Sequence, residues 1–356
     1  MTIAATATIP SVTRNRDNDR RLVRIWLYAL AAMVLLIVFV GGATRLTDSG
    51  LSITEWQPIH GVVPPLNDAE WQEEFLKYQQ IPQFEVLNPD MTLAEFKGIF
   101  WWEWSHRVLA RLVGVVFAVP FLFFLFTGRL ERRLRPQLVA IFALGGLQGL
   151  AGWLMVQSGV EEGTTLVSVD EYRLAIHLML ASLIFSYLLW VARGLRPGRP
   201  VANYPDGAVK TFGAVLIAFL FFQLFLGALV AGLDAWNRGV GWPAMNGELI
   251  PALLFEERGT TVHFFHRMVA YLIAILIVAQ AFWLARRLPG SRVAFSSYRL
   301  VGLVILQMAL GIATVVAAGA TLPVGFALGH QVMAFLLLGG LVIHRRGMNP
   351  PISITG

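Results

Sequence analysis

The sequence predicts an all-α integral membrane protein, with eight transmembrane helices arranged as two four-helix bundles and both termini in the cytoplasm. Three observations predict it. The 356 residues are 56% hydrophobic and only 14% charged, which is too apolar for an ordinary soluble domain. Eight apolar runs have about the 20-residue length that crosses a bilayer. Lysine and arginine are concentrated in alternate connections between those runs.

The eight runs divide the chain into two halves of four helices each. The runs cover residues 24–43, 106–126, 137–157, 173–192, 209–231, 264–285, 298–319 and 324–343. The first run is longer than the apolar region of a cleaved signal peptide, so it is predicted to stay as an anchor. Residues 1–23 are then a polar cytoplasmic tail and 347–356 a C-terminal tail, with an N-terminal half over 24–196 and a C-terminal half over 197–346.

The distribution of basic residues predicts the orientation. Most of the 28 lysines and arginines lie in segments 14–24, 129–135, 193–210, 286–299 and 345–346. These segments share one side of the membrane, which the positive-inside rule makes cytoplasmic. The other side carries the long loop 44–105, the loops 158–172 and 232–263, and most of the acidic residues. The net charge of +6 is explained by this asymmetry, so no nucleic-acid partner is expected.

The two halves align with each other, which predicts an internal repeat. The matched pairs are Gly41 with Gly227, Asp48 with Asp234, His106-Arg107 with His266-Arg267, Gly152 with Gly311, and His177 with His330. Because each half has an even number of helices, both point the same way, and the repeat is parallel. Matches of single glycines arise easily by chance, whereas four matched histidine positions do not.

The matched histidines predict haem ligation. In each half, one histidine opens the second helix and one opens the fourth, and these helices can lie diagonally in a four-helix bundle. Two imidazoles then face each other at one depth, which suits a planar macrocycle with histidine on both faces. The pairs are His106 with His177 and His266 with His330. A single histidine in such a place is more often an ordinary interfacial residue, so the prediction depends on the two-fold pattern.

Neighbouring residues extend this prediction. The first and third helices of each half would lie beside the macrocycle. They contain runs of small residues, at 41–43, 145–152 and 226–229, although such runs are also common helix-packing faces. Arg107 and Arg267 directly follow candidate ligands and are candidates for binding haem propionates. The alternative is that both arginines extend from the apolar region to the membrane interface.

The two halves differ at one chemically important position. Glu103 lies three residues before His106, and the matching position before His266 is His263. A carboxylate beside a bound macrocycle can exchange a proton or stabilise a developing cation. We therefore interpret Glu103 as a catalytic residue of one site, with His263 a second-sphere candidate in an electron-transfer site. The alternative is that Glu103 only solvates the outer interface.

At this point the chain resembles the haem A synthase family, in its cysteine-free proteobacterial and mitochondrial type. The motifs that carry the resemblance are GGATRLTDSGLSITEWQPIHGVVPPLN after the first helix, FWWEWSHRVLARLVG into the second and HFFHRMVAYLIA into the sixth. LAIHLMLA and LGHQVMAF supply the other two histidines. The resemblance covers residues from about 22 to 346.

The resemblance implies an enzyme that oxidises the C8 methyl of haem O stepwise, through an alcohol to a formyl group, giving haem A for terminal oxidase assembly. It implies that haem O lies between His106 and His177, with Glu103 at the reacting edge. It also implies haem b as a prosthetic group, with its iron between His266 and His330. Segment 49–61 is expected to form a lid over the substrate.

The resemblance also implies a setting. The protein is expected in the bacterial inner membrane, with its haem sites toward the periplasm. Haem O synthase and oxidase assembly factors are the implied partners, and a homo-oligomer is allowed. Some members of the family carry a cysteine pair in the outer loops, and this chain has no cysteine, so the electron donor is left open.

Two other functions compete with this prediction. A non-catalytic bis-histidine dihaem cytochrome b needs haems near both faces of the membrane, whereas all four histidines here lie toward the outer end. A transporter built on a parallel repeat usually has charges or broken helices at the midplane, and these cores are nearly free of charge.

Overall fold

The fold is a bundle of long helices with a small helical cap over one half. The computed structural model describes residues 16–56, 60–197, 205–319 and 323–351. Within these ranges the α-helices are α1 Arg16–Leu46, α2 Asp68–Tyr78, α3 Pro82–Leu87, α4 Leu93–Phe126, α5 Arg135–Val160, α6 Glu171–Gly194, α7 Gly207–Gly232, α8 Arg258–Arg287, α9 Arg292–Val316 and α10 Val324–Gly347. Short 3-10 helices cover His60–Val62, Arg132–Leu134 and Ala235–Gly239.

The predicted all-α class with eight transmembrane helices is confirmed, and the cytoplasmic position of both termini stays a prediction. Within the described part of the chain, eight helices are long and apolar enough to span a membrane: α1 and α4 to α10, with the turn Arg132–Leu134 continuing into α5. Each of the eight predicted runs falls on one of these helices. The protein is therefore a multi-pass membrane protein.

Several helices begin before their predicted apolar runs, with the largest differences in α1 and α4. Helix α1 begins at Arg16, eight residues before its apolar run, so the last eight residues of the predicted tail 1–23 are helical, and its first fifteen lie outside the described residues. The cytoplasmic position of this tail stays a prediction. The apolar run 106–126 lies within helix α4, which begins at Leu93, because Thr92 and Glu95 form a reciprocal capping box there. Hydropathy marks where a helix enters lipid, whereas capping residues mark where its backbone hydrogen bonds begin. The two starting points differ in both helices.

The four long helices of each half pack in the same cyclic order. In the N-terminal half, α1 and α5 each pack against both α4 and α6. In the C-terminal half, α7 and α9 each pack against both α8 and α10. The helices that carry the histidines, α4 with α6 and α8 with α10, therefore lie diagonally across their bundles. This common order supports the parallel repeat, which stays a prediction.

A single apolar core joins the two halves. Helix α6 packs against α7 and α10, and α1 packs against α10. At the centre, the rings of Phe185 and Phe335 meet edge to face with centroids 5.5 Å apart. Gly339 allows this approach, because a β-carbon there would lie 3.0 Å from Leu189 and 3.1 Å from Phe185. Close packing of this kind drives helix association in lipid, where burial of apolar surface from water contributes little.

The loop 44–105 folds into a cap with its own aromatic core. Helices α2 and α3 pack with the first turns of α4 around Trp71, Phe75, Tyr78 and Phe96. Leu51 is also buried in this core, at 1% exposure. The cap thereby fixes the chain that follows α1 against the side of α4, next to Glu103.

Candidate functional site

Each of the four predicted histidine ligands lies against a glycine of a neighbouring helix. The distances from a β-carbon added to the glycine to the nearest imidazole atom are 2.8 Å for Gly41 and His106, 2.8 Å for Gly152 and His177, 3.0 Å for Gly227 and His266, and 2.7 Å for Gly311 and His330. A β-carbon at Gly41, Gly152 or Gly311 would force the imidazole to shift, and one at Gly227 would press against it. Three of these four glycines, all but Gly311, belong to the small-residue runs predicted beside the macrocycles.

The C-terminal pair has the spacing of two ligands on one metal ion. The ring centroids of His266 and His330 are 6.3 Å apart, with the ring planes inclined by 73°. When two imidazoles bind one metal ion from opposite sides, each ring centre lies about 3 Å from the metal: about 2 Å for the metal–nitrogen bond and about 1 Å from nitrogen to ring centre. The expected separation of the two ring centres is therefore about 6 Å, close to the observed value. In the N-terminal half, His106 and His177 lie on the corresponding diagonal helices, α4 and α6. The residues of the C-terminal pair therefore fit an iron porphyrin held by histidine on both faces.

Three glutamines approach the imidazoles, and sequence reasoning did not identify their role. The amide nitrogen of Gln148 is 3.2 Å from Nδ1 of His177. That of Gln223 is 3.0 Å from Nδ1 of His266. That of Gln307 is 3.3 Å from Nε2 of His330. Each glutamine lies four residues before the glycine that packs against the same histidine. The recurring spacing Gln-x-x-x-Gly is therefore a sequence pattern from which these contacts could have been predicted.

Glu103 is a buried carboxylate with partners at both oxygens. It is 3% exposed. One oxygen accepts hydrogen bonds of 2.8 Å from the hydroxyl of Ser52 and from the backbone N–H of Ile53. The other accepts from Nε of Arg107 at 3.0 Å. The cap and α4 thus hold this side chain in one position, three residues before His106.

Arg107 and Arg267 occupy equivalent places and bind the loops above them. Arg107 donates to the backbone carbonyls of Ile53, at 2.6 Å, and Glu55, at 2.9 Å. Arg267 donates to the carbonyls of Gly239 and, at 3.0 Å, Gly241. Positions 239 and 241 follow 53 and 55 by the same 186 residues that separate Gly227 from Gly41. The guanidinium groups therefore fix the outer loops, and the predicted propionate contacts stay a prediction.

The predicted lid, segment 49–61, approaches the site only in part. Ser52, Ile53 and Glu55 contact Glu103 or Arg107 as described. Residues 57–59 lie outside the described residues. The segment therefore lies beside the predicted catalytic residue, and its role as a lid stays a prediction.

His263 takes the place of Glu103 in the C-terminal half. It is 4% exposed. Its Nδ1 lies 2.8 Å from the carbonyl of Ala235, and its Nε2 accepts from Nε of Arg267 at 3.3 Å. Both ring nitrogens are thus used in fixing the loop. This half has a neutral group where the N-terminal half has a carboxylate, and the difference between the two sites predicted from the sequence persists in three dimensions.

These features define a class of protein: a multi-pass helical membrane protein with two pairs of facing histidines, one of which has a buried carboxylate beside it. Comparison with known proteins narrows the class. A family model described as "Cytochrome oxidase assembly protein" matches residues 24–342. The chain belongs to this family.

The similar relatives are named heme A synthase. The protein of Chelativorans sp. is 50% identical over 348 residues, which are 95% of this chain and 94% of the relative. That of Mesorhizobium japonicum is 49% identical, over 97% of this chain and 95% of its own length. That of Brucella ovis is 48% identical, over 94% of each chain.

Proposed function

We propose that the protein is a haem A synthase, a membrane oxidoreductase that converts haem O to haem A for the assembly of terminal oxidases. The identity of about half of all residues to proteins of that name supports the activity. The observation that carries the mechanism is the asymmetry between the halves. Both have a histidine pair supported by glycine, and only one has a carboxylate, Glu103, fixed beside its pair.

The N-terminal pair, His106 and His177, binds the substrate haem. Oxidation of a methyl group to an alcohol inserts an oxygen atom from water or dioxygen, and oxidation of the alcohol to an aldehyde follows. Each stage releases protons from the substrate and passes two electrons to dioxygen or another external acceptor. Glu103 accepts a proton or stabilises the positive charge that develops at the ring edge. Its hydrogen bonds from Ser52 and Ile53 orient the carboxylate, since both come from the ordered cap.

The C-terminal pair, His266 and His330, holds a resident haem b. His266 and His330 would hold this group by their imidazoles, and it would supply electron transfer. His263 and Arg267 keep the outer loop closed over this site through the carbonyls of Ala235 and Gly241. Arg107 and Arg267 also remain candidates for binding propionates through charge-assisted bonds.

The sites face the periplasm, in the inner membrane of a bacterium. Each histidine lies in the first half of its helix, and the other ends of these helices lie near the arginine-rich connections. Haem O is amphipathic, so a site near the outer surface leaves its ring and tail in lipid and its propionates near water. Haem O synthase must supply the substrate, and oxidase assembly factors receive the product.

A reporter of sidedness tests this orientation. Fusions after Gly128 or Arg196 are expected to report the cytoplasm, and a fusion within 158–172 the periplasm, because the positive-inside rule assigns the arginine-rich connections to the cytoplasm. Paired reporters, one active on each side of the membrane, serve as mutual controls. A periplasmic signal at Arg196 would place the haem sites at the cytoplasmic face and contradict the assignment.

Supplying the substrate tests the activity. The chain is expressed in a host that makes haem O and has no haem A synthase, and the haems of its membranes are separated by chromatography. Haem A is expected only when the chain is present. Haem O alone, with the chain present in the membrane at normal abundance, would contradict the proposal.

A further inference from the structure

The inward face of α5 is open below the histidine pair of the N-terminal bundle. On this face Ile141 is buried, at 2% exposure, and Gly152 packs against His177. Gly145 lies between them, four residues after Ile141 and therefore on the same side of the helix, and it is exposed. A β-carbon at Gly145 would meet no atom within 4 Å among the residues that the structure describes. The bundle thus has empty space about 10 Å deeper in the membrane than Gly152.

The facing side of α4 is open at a similar depth. Phe117 is buried, at 6% exposure, and Gly114, one turn before it, is exposed. A β-carbon at Gly114, or at Gly149 of α5, would also meet no described atom within 4 Å. Helices α4 and α5 are in close contact over less of their length than α8 and α9, the equivalent pair of the other bundle. The gap lined by Gly114, Gly145 and Gly149 is called the α4–α5 opening.

Two aromatic pairs close the α4–α5 opening at its ends. At the inner end, Phe117 of α4 stacks on Phe142 of α5, with ring centroids 5.8 Å apart. At the outer end, Trp56 of the loop after α1 stacks on Trp153 of α5, with centroids 5.3 Å apart. Positions 142 and 153 lie on one helix, so the opening is about 16 Å high. It leads from the histidine pair to the side of the bundle, where lipid surrounds the protein.

The C-terminal bundle is filled at the equivalent place. The repeat puts Val304 at the position of Gly145, at the offset that also aligns the supporting glycines of the two helices. It puts Met308 at the position of Gly149. Val304 is 3% exposed and belongs to the central apolar core. The two bundles therefore offer similar histidine pairs but differ in the room beside them.

We propose that the α4–α5 opening receives the apolar tail of haem O, and that Gly145 and Gly149 determine which haem each bundle accepts. This inference rests on the proposed function, because it takes haem O as the substrate of the N-terminal site. Haem O carries a long hydrocarbon tail that haem b lacks, and a histidine pair binds the iron of both, so the ligands do not distinguish them. Space for the tail does. Val304 and Met308 clash with a tail in the C-terminal bundle, and a clash with the wrong ligand is an effective source of specificity.

Copying the C-terminal residues into the N-terminal bundle tests the inference. Gly145→Val and Gly149→Met are expected to fold, because a β-carbon meets open space at both positions and glycine is the poorer helix former. The purified protein, with haem b in its C-terminal site, is titrated with haem O and separately with haem b as a probe without a tail. Each variant is expected to bind haem O about 10- to 100-fold more weakly, as overpacking of a fitted cavity predicts, and to bind the second haem b as the wild type does.

The matched control is Gly302→Val, which adds the same bulk to α9 at an exposed position on the opposite side of that helix from Val304. Resident haem b at the wild-type level verifies folding, and if one variant fails to fold the other decides. Unchanged affinity for haem O in the variants would overturn the inference and leave the proposed function intact. Equal loss of haem O and haem b would also overturn it, because the opening would then serve the ring. A wild-type protein that binds no second haem would instead overturn the proposed function.

Discussion

Replacing Glu103 with glutamine is expected to lower haem A formation by a factor of about 10² to 10⁴, while both haems stay bound. The amide keeps the size of the side chain and an oxygen that accepts from Ser52 and Ile53. It loses the negative charge and the capacity to take a proton. In the proposed reaction both act at the methyl group, so oxidation is expected to slow or to stop at the alcohol.

The measurement is the haem composition of membranes that express the variant together with a source of haem O. Glu171→Gln is a suitable control, because Glu171 also lies near the outer end of its helix and pairs with an arginine, Arg258, without neighbouring a histidine pair. Haem A at the wild-type yield from the Glu103 variant would show that the carboxylate serves the interface or the cap instead of the reaction.

Alanine at His266 or His330 is expected to remove stably bound haem b. Each substitution breaks one axial bond and leaves an empty volume beside Gly227 or Gly311. His344→Ala is the matched control, because His344 is 4% exposed and bonded to Ser296 but lies at the other end of α10. The reduced-minus-oxidised spectrum of each purified variant gives its haem b content. Wild-type content in both alanine variants would refute the assignment of these ligands.

Much of this architecture is readable from the sequence, because it depends on local patterns. Eight apolar runs predict eight spans, and the matched histidines predict which helices face each other. Apolar runs do not mark where helices begin, since the capping box of Thr92 and Glu95 starts α4 at Leu93, well before its apolar run at 106–126. The ligand assignments and the catalytic role of Glu103 are still predictions, although the structure brings the side chains together.

The details that the sequence did not predict depend on contacts between distant residues. Ser52 and Ile53 reach Glu103 from about 50 positions away because the cap folds back over α4. Arg107 and Arg267 bind loop carbonyls, and no side-chain pattern records where a backbone carbonyl will lie. The contact of Gln223 with His266 also joins positions 43 residues apart, and only the folded structure shows it.

The central claim is that two histidine pairs hold two different haems, one as a prosthetic group and one as substrate. Extraction of the haems from the purified protein, followed by chromatography and quantification, tests it most directly. The account predicts haem b together with haem O or haem A when haem O is supplied. Haem b alone under those conditions would favour an electron-transferring cytochrome b, and the absence of haem would contradict the account.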